Sequence, residues 1–390
     1  MAPLAATVAA TVTVAVGVGV GLALARSERE RRRANELERE RQRERERQLQ
    51  FDRRLALAPV ERLAEGMRRM ALGQVDLTLE LLAPGDEDAI ATTPDERAVH
   101  ETRKALKRLR AMLRLLAGEL GGEASARENT ALRDVARSLS GARDAAVMLS
   151  TLDGLMRRHP RALARRRGVL ELRRRLRAEH ARMERETLAD PAARAEVLGE
   201  LQALRWRVAA WSLSDRDGIE LIEADLERVY RQGRKRFRRV ARRRGDRMIA
   251  MHEWRKRVKD LRYAAELLER HGARDSSHSG RSAGSGRAAR SGERLRELAR
   301  RADALGELLG EEHDLAVFAA RVRAGGVSAD TQETWHTGRR TRERLLELTA
   351  RRRRALRKRA LRDGERLYDE KPNAFIRRIS AAYARHARLS

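Results

Sequence analysis

A twelve-residue pattern is written twice in this chain, 152 residues apart, and both copies have a helical period. The first copy runs Val99-His100-Glu101-Thr102-Arg103-Lys104-Ala105-Leu106-Lys107-Arg108-Leu109-Arg110. The second runs Met251-His252-Glu253-Trp254-Arg255-Lys256-Arg257-Val258-Lys259-Asp260-Leu261-Arg262, and seven of the twelve positions are identical. At about 100° per residue, Leu106, Leu109, Leu113 and Leu116 fall on one side of the first helix. His100, Arg103, Lys104, Lys107 and Arg114 fall on the other. The second copy repeats the division: Val258, Leu261, Ala265 and Leu268 oppose His252, Arg255, Lys256 and Lys259, with Tyr263 joining the basic side. A second pair of stretches, Leu139 to Asp144 and Leu309 to Asp314, lies 170 residues apart. The chain therefore reads as two copies of one helical unit.

Solvated helix faces ordinarily mix acids among their bases, because opposite charges at i,i+4 attract. Residues 102–116 contain no acid. Like charges repeated on one face in both copies point to a site that an anion neutralises. The whole chain agrees: 87 Lys and Arg against 58 Asp and Glu give a net charge of +29 over 390 residues. Such an excess fits a polyanionic partner: nucleic acid, a phosphate polymer or an anionic membrane surface. A high-GC codon bias towards arginine is the competing account of the bulk count. Asp144 and Asp314 read as helix caps, or Asp144 as the residue that orients Arg143.

Several chemistries are excluded. The chain has no cysteine, hence no disulfide, thiolate metal site or cysteine nucleophile. His-Glu-x-x begins like a zinc-protease motif, but the second histidine is replaced by Lys104 or Lys256, and a cation repels zinc. No phosphate-binding P-loop is present. Glu311-Glu312-His313-Asp314 is a weak metal candidate, since only its aspartate repeats. No catalytic residue, metal ligand or cofactor is assigned.

The ends and linkers read as follows. Residues 2–25 are uncharged and long enough for a membrane-spanning helix, with Arg26, Arg29, Arg31, Arg32 and Arg33 next. They are read as an anchor that leaves the rest in the cytoplasm; the competing reading is a misassigned start. Residues 26–51 form an Arg/Glu-rich linker, and residues 272–292 a disordered Gly/Ser/Arg loop. Breaks are expected at Pro84-Gly85, Gly121-Gly122, Asp190-Pro191, Asp215 to Gly218 and Gly325-Gly326.

The doubled His-Glu-x-Arg-Lys-x-x-Lys-x-Leu-Arg pattern resembles the CHAD domain, the conserved-histidine α-helical domain. Tyr230 to Arg234, Leu139 to Asp144 and Gly364 to Tyr368 resemble it too, over roughly residues 58–390. The resemblance implies an all-α fold of two pseudo-twofold-related helical bundles, 58–215 and 216–390, with a basic channel between them. It also implies binding of inorganic polyphosphate and recruitment to polyphosphate granules, without catalysis. The ligand residues it implies are His100, Arg103, Lys104, Lys107 and Arg110, with His252, Arg255, Lys256, Lys259 and Arg262, and Arg234 as an addition. Arg143-Asp144 against His313-Asp314, and Arg108 against Asp260, imply unequal halves. The family often carries a β-barrel triphosphate enzyme with a Glu-x-Glu-x-Lys strand. Glu36-Leu-Glu38 lies instead in the charged run, so a polyphosphate-metabolising enzyme is expected as a separate partner.

Two alternatives stand beside this: a non-specific nucleic-acid-binding protein and a membrane-tethered scaffold. The chain has only 12 aromatic residues, few for stacking bases, and its basic faces carry no Asn or Gln for reading base edges. Weak nucleic-acid binding at low salt is expected from the surface arginines. The histidines, held neutral by neighbouring cations, are expected to tighten polyphosphate binding as pH falls from about 8 to 6.

Overall fold

The computed structural model describes residues 61–83, 96–216, 218–242, 245–272, 285–325 and 338–387. The candidate anchor 2–25 and the linker 26–51 lie outside the described residues. No described helix is long and apolar enough to cross a membrane.

The described residues form helices and no strand. The first half contains α1 (Leu63–Leu82), α2 (Glu96–Leu115), the single turn α3 (Ala117–Leu120), α4 (Gly122–Ser138), α5 (Ser140–Arg158), the single turn α6 (Pro160–Leu163), α7 (Arg167–Glu186) and α8 (Pro191–Ala209). A 3₁₀ turn, Gly218–Leu221, leads into the second half. There follow α9 (Glu223–Ala241), α10 (Arg247–Gly272), α11 (Ser285–Arg323), α12 (Arg339–Leu367) and α13 (Pro372–Ala387). The repeat is visible in the packing. Helix α1 lies along α2 as α9 lies along α10, α5 packs on α7 as α11 packs on α12, and α8 returns to α1 as α13 returns to α9. These are two helical bundles related by a pseudo-twofold. The first bundle breaks at Leu139, between α4 and α5, where the second runs unbroken through α11.

The leucine faces of the two motif helices are buried, as their period requires: Leu106, Leu109, Leu113 and Leu116 in the first, Val258, Leu261, Ala265 and Leu268 in the second. Two hydrophobic cores result, and each draws on both halves of the chain. One joins α1, α2, α4 and α8 to α9, α10, α13 and the first part of α11. The other joins α5 and α7 to the last part of α11 and the first part of α12. The boundary near residue 215 thus marks the repeat but does not separate two cores.

The breaks have local causes. Gly121 takes φ +80°, a left-handed conformation that glycine adopts without a steric cost. Asp190 caps α8, its carboxylate accepting from Ala192 N and Ala193 N, with Pro191 at the first helical position. The stretch read as a loop over 272–292 needs correction: helix α11 already begins at Ser285. Arg287, Ala288, Ala289 and Arg290 are good helix formers, and they extend a long helix at the cost of the two glycines beside them.

The Tyr230 to Arg234 and Gly364 to Tyr368 stretches pack together. Tyr230 stacks on Phe375 with ring centroids 3.8 Å apart, and Tyr368 lies over Gly233. Gly364 lets α12 approach the fully buried Trp254 of α10; a Cβ there would stand 2.5 Å from Trp254 Cζ2 and 2.9 Å from Phe237 Cδ2. Gly364→Ala should therefore cost about 1–3 kcal/mol, read as a lowered unfolding midpoint in denaturant. A midpoint equal to wild type would show that these rings have room to move.

Candidate functional site

Helices α2 and α10 pack against one another, and their basic faces open on one cleft of about 920 Å³. Helix α2 supplies His100, Arg103, Lys104, Lys107 and Arg108; α10 supplies Arg255, Lys259, Arg262 and Tyr263. Helix α5 adds Arg143, Arg157 and Arg158, and α12 adds Arg352 and Arg359. Among the described residues, the walls hold twelve Lys and Arg against four carboxylates, Glu266, Glu307, Glu311 and Asp314. All four carboxylates belong to the second half of the chain, so the first-half wall carries no acid among its described residues.

Of the eleven residues expected at the site, seven line this cleft: His100, Arg103, Lys104, Lys107, Arg255, Lys259 and Arg262. Four do not. Arg110 turns towards α4, its Nε donating to Asn129 Oδ1 at 2.9 Å. Arg234 donates from Nε to the Tyr368 carbonyl at 3.0 Å and lines a different groove. The His252 ring packs against His313, centroids 4.7 Å apart. Lys256 is exposed and pairs with Glu253 one turn back. The two copies therefore present different motif positions. Lys104 lines the cleft but its counterpart Lys256 does not, while Arg262 lines it but its counterpart Arg110 does not.

The two lysines at the centre are strongly perturbed. Burial, followed by Arg143, Lys259, Arg103 and Arg255, pulls the Lys107 ammonium down to about 7. Those four strongest charge influences are all cations. Burial, then Arg255 and Arg143, pulls Lys259 down to about 8. Arg103 and Arg255 are also lowered, burial first. Arg103 also serves the backbone, its Nη1 donating to the carbonyls of Ala136 and Leu139, both at 2.8 Å, where α4 ends. A cation there satisfies helix-end carbonyls that have no partner in the helix. The Nε atoms of Arg103 and Arg255, at equivalent motif positions, are buried without a hydrogen-bond partner among the described residues.

Elsewhere in the cleft several of the cations are held by carboxylates. Glu311 takes Arg352 through two bonds, 2.8 and 2.7 Å, and Arg158 at 3.0 Å, which links α5, α11 and α12. Arg262 pairs with Glu266 at 2.7 Å and Asp303 at 2.6 Å. Glu312 is buried between Arg353 and Arg357, at 3.0 and 2.7 Å. The weak metal candidate thus has both of its glutamates engaged by arginines. The capping role expected of the repeated aspartates is corrected. Leu139, not Asp144, stands at the N-cap of α5, and Asp314 lies inside the 39-residue α11. Burial raises both aspartates, and Arg103 with Arg143, or Arg255 with Arg143, oppose that rise.

The Arg108/Asp260 departure has a structural meaning. Asp260 is buried and pairs with Arg257 of its own helix at 3.2 Å and Arg114 of α2 at 3.0 Å. It fastens the two motif helices together, so the charge of Arg114 is used there. His313, where the first copy has Arg143, is depressed to about 4 by burial and then by Arg255 and His252. It is neutral at physiological pH. Arg108, Arg157, Arg158, Arg352 and Arg359 were not expected at the site. Arg157, Arg158, Arg352 and Arg359 lie outside the repeated stretches, and only the helix packing brings them in; Arg108 lies within the motif, at a position whose counterpart is Asp260. Arg143 was within reach, through the Leu139 to Asp144 repeat.

A family model, CHAD domain, matches residues 73–323. A crystal structure of the CHAD domain from the plant Ricinus communis is similar at 19% identity, covering 85% of this chain and 94% of that one, with a TM-score of 0.45. PptA from Streptomyces chartreusis is similar at 15% identity, covering 80% of this chain and 100% of that one, with a TM-score of 0.47. No curated protein matches the chain.

Proposed function

The chain belongs to the CHAD domain family, and on that premise we propose that it binds long-chain inorganic polyphosphate in the cleft between α2 and α10. The observation that carries this reading is the unbalanced charge at the centre of the cleft. Lys107 sits among Arg103, Arg143, Arg255 and Lys259, each of which disfavours its proton. A polymer of phosphates supplies the missing negative charge, and arginine forks suit its oxygens. Bases have less to hold: among the described residues of the lining, Tyr263 is the one Phe, Trp or Tyr, and there is no Asn or Gln. The chain acts as a binding module rather than an enzyme, brings itself to cytoplasmic polyphosphate granules, and serves alongside a separate polyphosphate-metabolising enzyme.

The pH dependence follows with a definite sign. Free Lys107 and Lys259 titrate near about 7 and about 8. Polyphosphate beside them favours the protonated forms and moves both towards or above the ordinary lysine value of about 10.4. Binding therefore takes up protons wherever the pH lies between the free and bound values. Affinity falls as pH rises from about 7 to 10 and levels off below about 7. The lysine effect is separate from the histidine-based expectation, which falls to His100 in the cleft lining, since His252 is turned into His313. Calorimetric titration in buffers of different ionisation enthalpy measures the proton uptake directly. Zero uptake at about pH 8, with affinity flat up to pH 9.5, would remove these lysines from the site.

A further inference from the structure

The face of α9 carries a second cationic groove. Arg231, Lys235, Arg238 and Arg242 follow at steps of four, three and four residues, which holds them within roughly a 60° arc. They form a stripe about 16 Å long. With Arg234, Arg236 and Arg239 they line a cleft of about 530 Å³ whose remaining lining residue among the described residues is Pro372. Among the described residues, the lining holds neither a carboxylate nor an aromatic ring.

Helix-end electrostatics explain only part of this. The C-terminal dipole of α9 favours Arg238, Arg239 and Arg242, but its influence fades within a turn, and the stripe reaches back to Arg231. Arg231 is tied to Glu227 at 3.2 Å, and Arg236 reaches Glu253 only at 4.0 Å. Lys235, Arg238 and Arg242 are exposed, and like charges at i,i+3 and i,i+4 repel along a helix. A general arginine bias does not explain it either. The equivalent helix of the first half, α1, has no cation over residues 73–82 and carries Asp76 and Glu80 there.

We propose that this groove is a second grip on the same polyphosphate chain, outside the central cleft; the proposal rests on the polyphosphate reading of that cleft. A groove lined with guanidinium and ammonium groups, and with no ring to stack a base, fits a phosphate polymer better than a nucleic acid. A polymer held at two places gains through effective concentration, so long chains benefit and short ones do not.

The test uses the full chain and a triple variant, Lys235→Ala, Arg238→Ala, Arg242→Ala, with tripolyphosphate and long-chain polyphosphate as probes. The altered side chains are exposed, and an unchanged unfolding temperature confirms the fold. The variant should bind long chains about tenfold or more weakly. Its slope of log affinity on log salt should be shallower by about 2, for three lost phosphate contacts. Tripolyphosphate affinity should not change. Long-chain affinity and slope equal to wild type overturn the second grip and leave the central reading standing. If wild type binds no polyphosphate at all, both readings fall. Duplex DNA and phosphatidylglycerol vesicles form the control arms. Loss of either with long-chain polyphosphate binding intact assigns the groove to that partner and overturns the proposal.

Discussion

Replacing Lys107 and Lys259 together by methionine makes the free protein more stable and its hold on polyphosphate weaker. Both ammonium groups are largely buried among cations, and each is pulled far below the usual lysine range. Methionine keeps the length of the side chain and removes the repulsion. After discounting for partial solvent screening, the gain is about 1–2 kcal/mol, or a few degrees of unfolding temperature near pH 7. Between about pH 7 and pH 10 the unfolded chain holds more protons on these lysines than the folded one. Wild-type stability therefore climbs with pH there, and the gap to the variant closes. Binding moves the other way. Two lost charge-assisted contacts at about 1.5 kcal/mol each amount to roughly 100-fold weaker binding. Calorimetric unfolding over that pH range, beside a polyphosphate titration, checks both signs. A variant less stable than wild type at every pH would mean that these lysines are structural.

Asp260→Ala should be among the most damaging single changes in the molecule. Asp260 is buried and holds Arg114 from α2 and Arg257 from α10. Without it Arg114 stays desolvated, facing Arg110, Arg257 and Arg228. Removing one partner of a buried ion pair typically costs about 3–5 kcal/mol, which corresponds to a fall of roughly 10 °C here. Changing Asp260 to Leu with Arg114 and Arg257 to Met removes the charges together and should recover most of the loss. Calorimetric unfolding of the two variants measures this. Asp260→Ala within about 1 kcal/mol of wild type would show that water reaches the arginines and that this triad does not fasten the helices.

Much of the architecture was legible because the helical period is strong where it matters. The leucines of α2 and the aliphatic residues of α10 named their own buried face, and Asp190-Pro191 and Gly121 named helix ends. The site was legible only in part. A helical projection says which way a side chain points and nothing about which helix covers it. Arg110 and Arg262 occupy the same motif position, yet Asn129 of α4 takes the first while the second reaches the cleft. Arg234 belongs to a stretch whose work is packing, with Tyr230, Gly233 and Tyr368 in one cluster. Arg158 and Arg352 meet across Glu311 from sequence positions far apart, and nothing in either local sequence announces the meeting.

The central claim is that the cleft between the motif helices selects a bare phosphate polymer. The direct measurement titrates the full chain, purified free of nucleic acid, with long-chain polyphosphate and with duplex DNA at about 0.15 M salt. The Lys107→Met, Lys259→Met protein is run in parallel. The account predicts that wild type prefers polyphosphate to DNA, and that the variant loses this preference while its residual DNA binding is unchanged. Equal binding of the two polymers, with the variant indistinguishable from wild type, would contradict it and assign the binding to the general arginine surface.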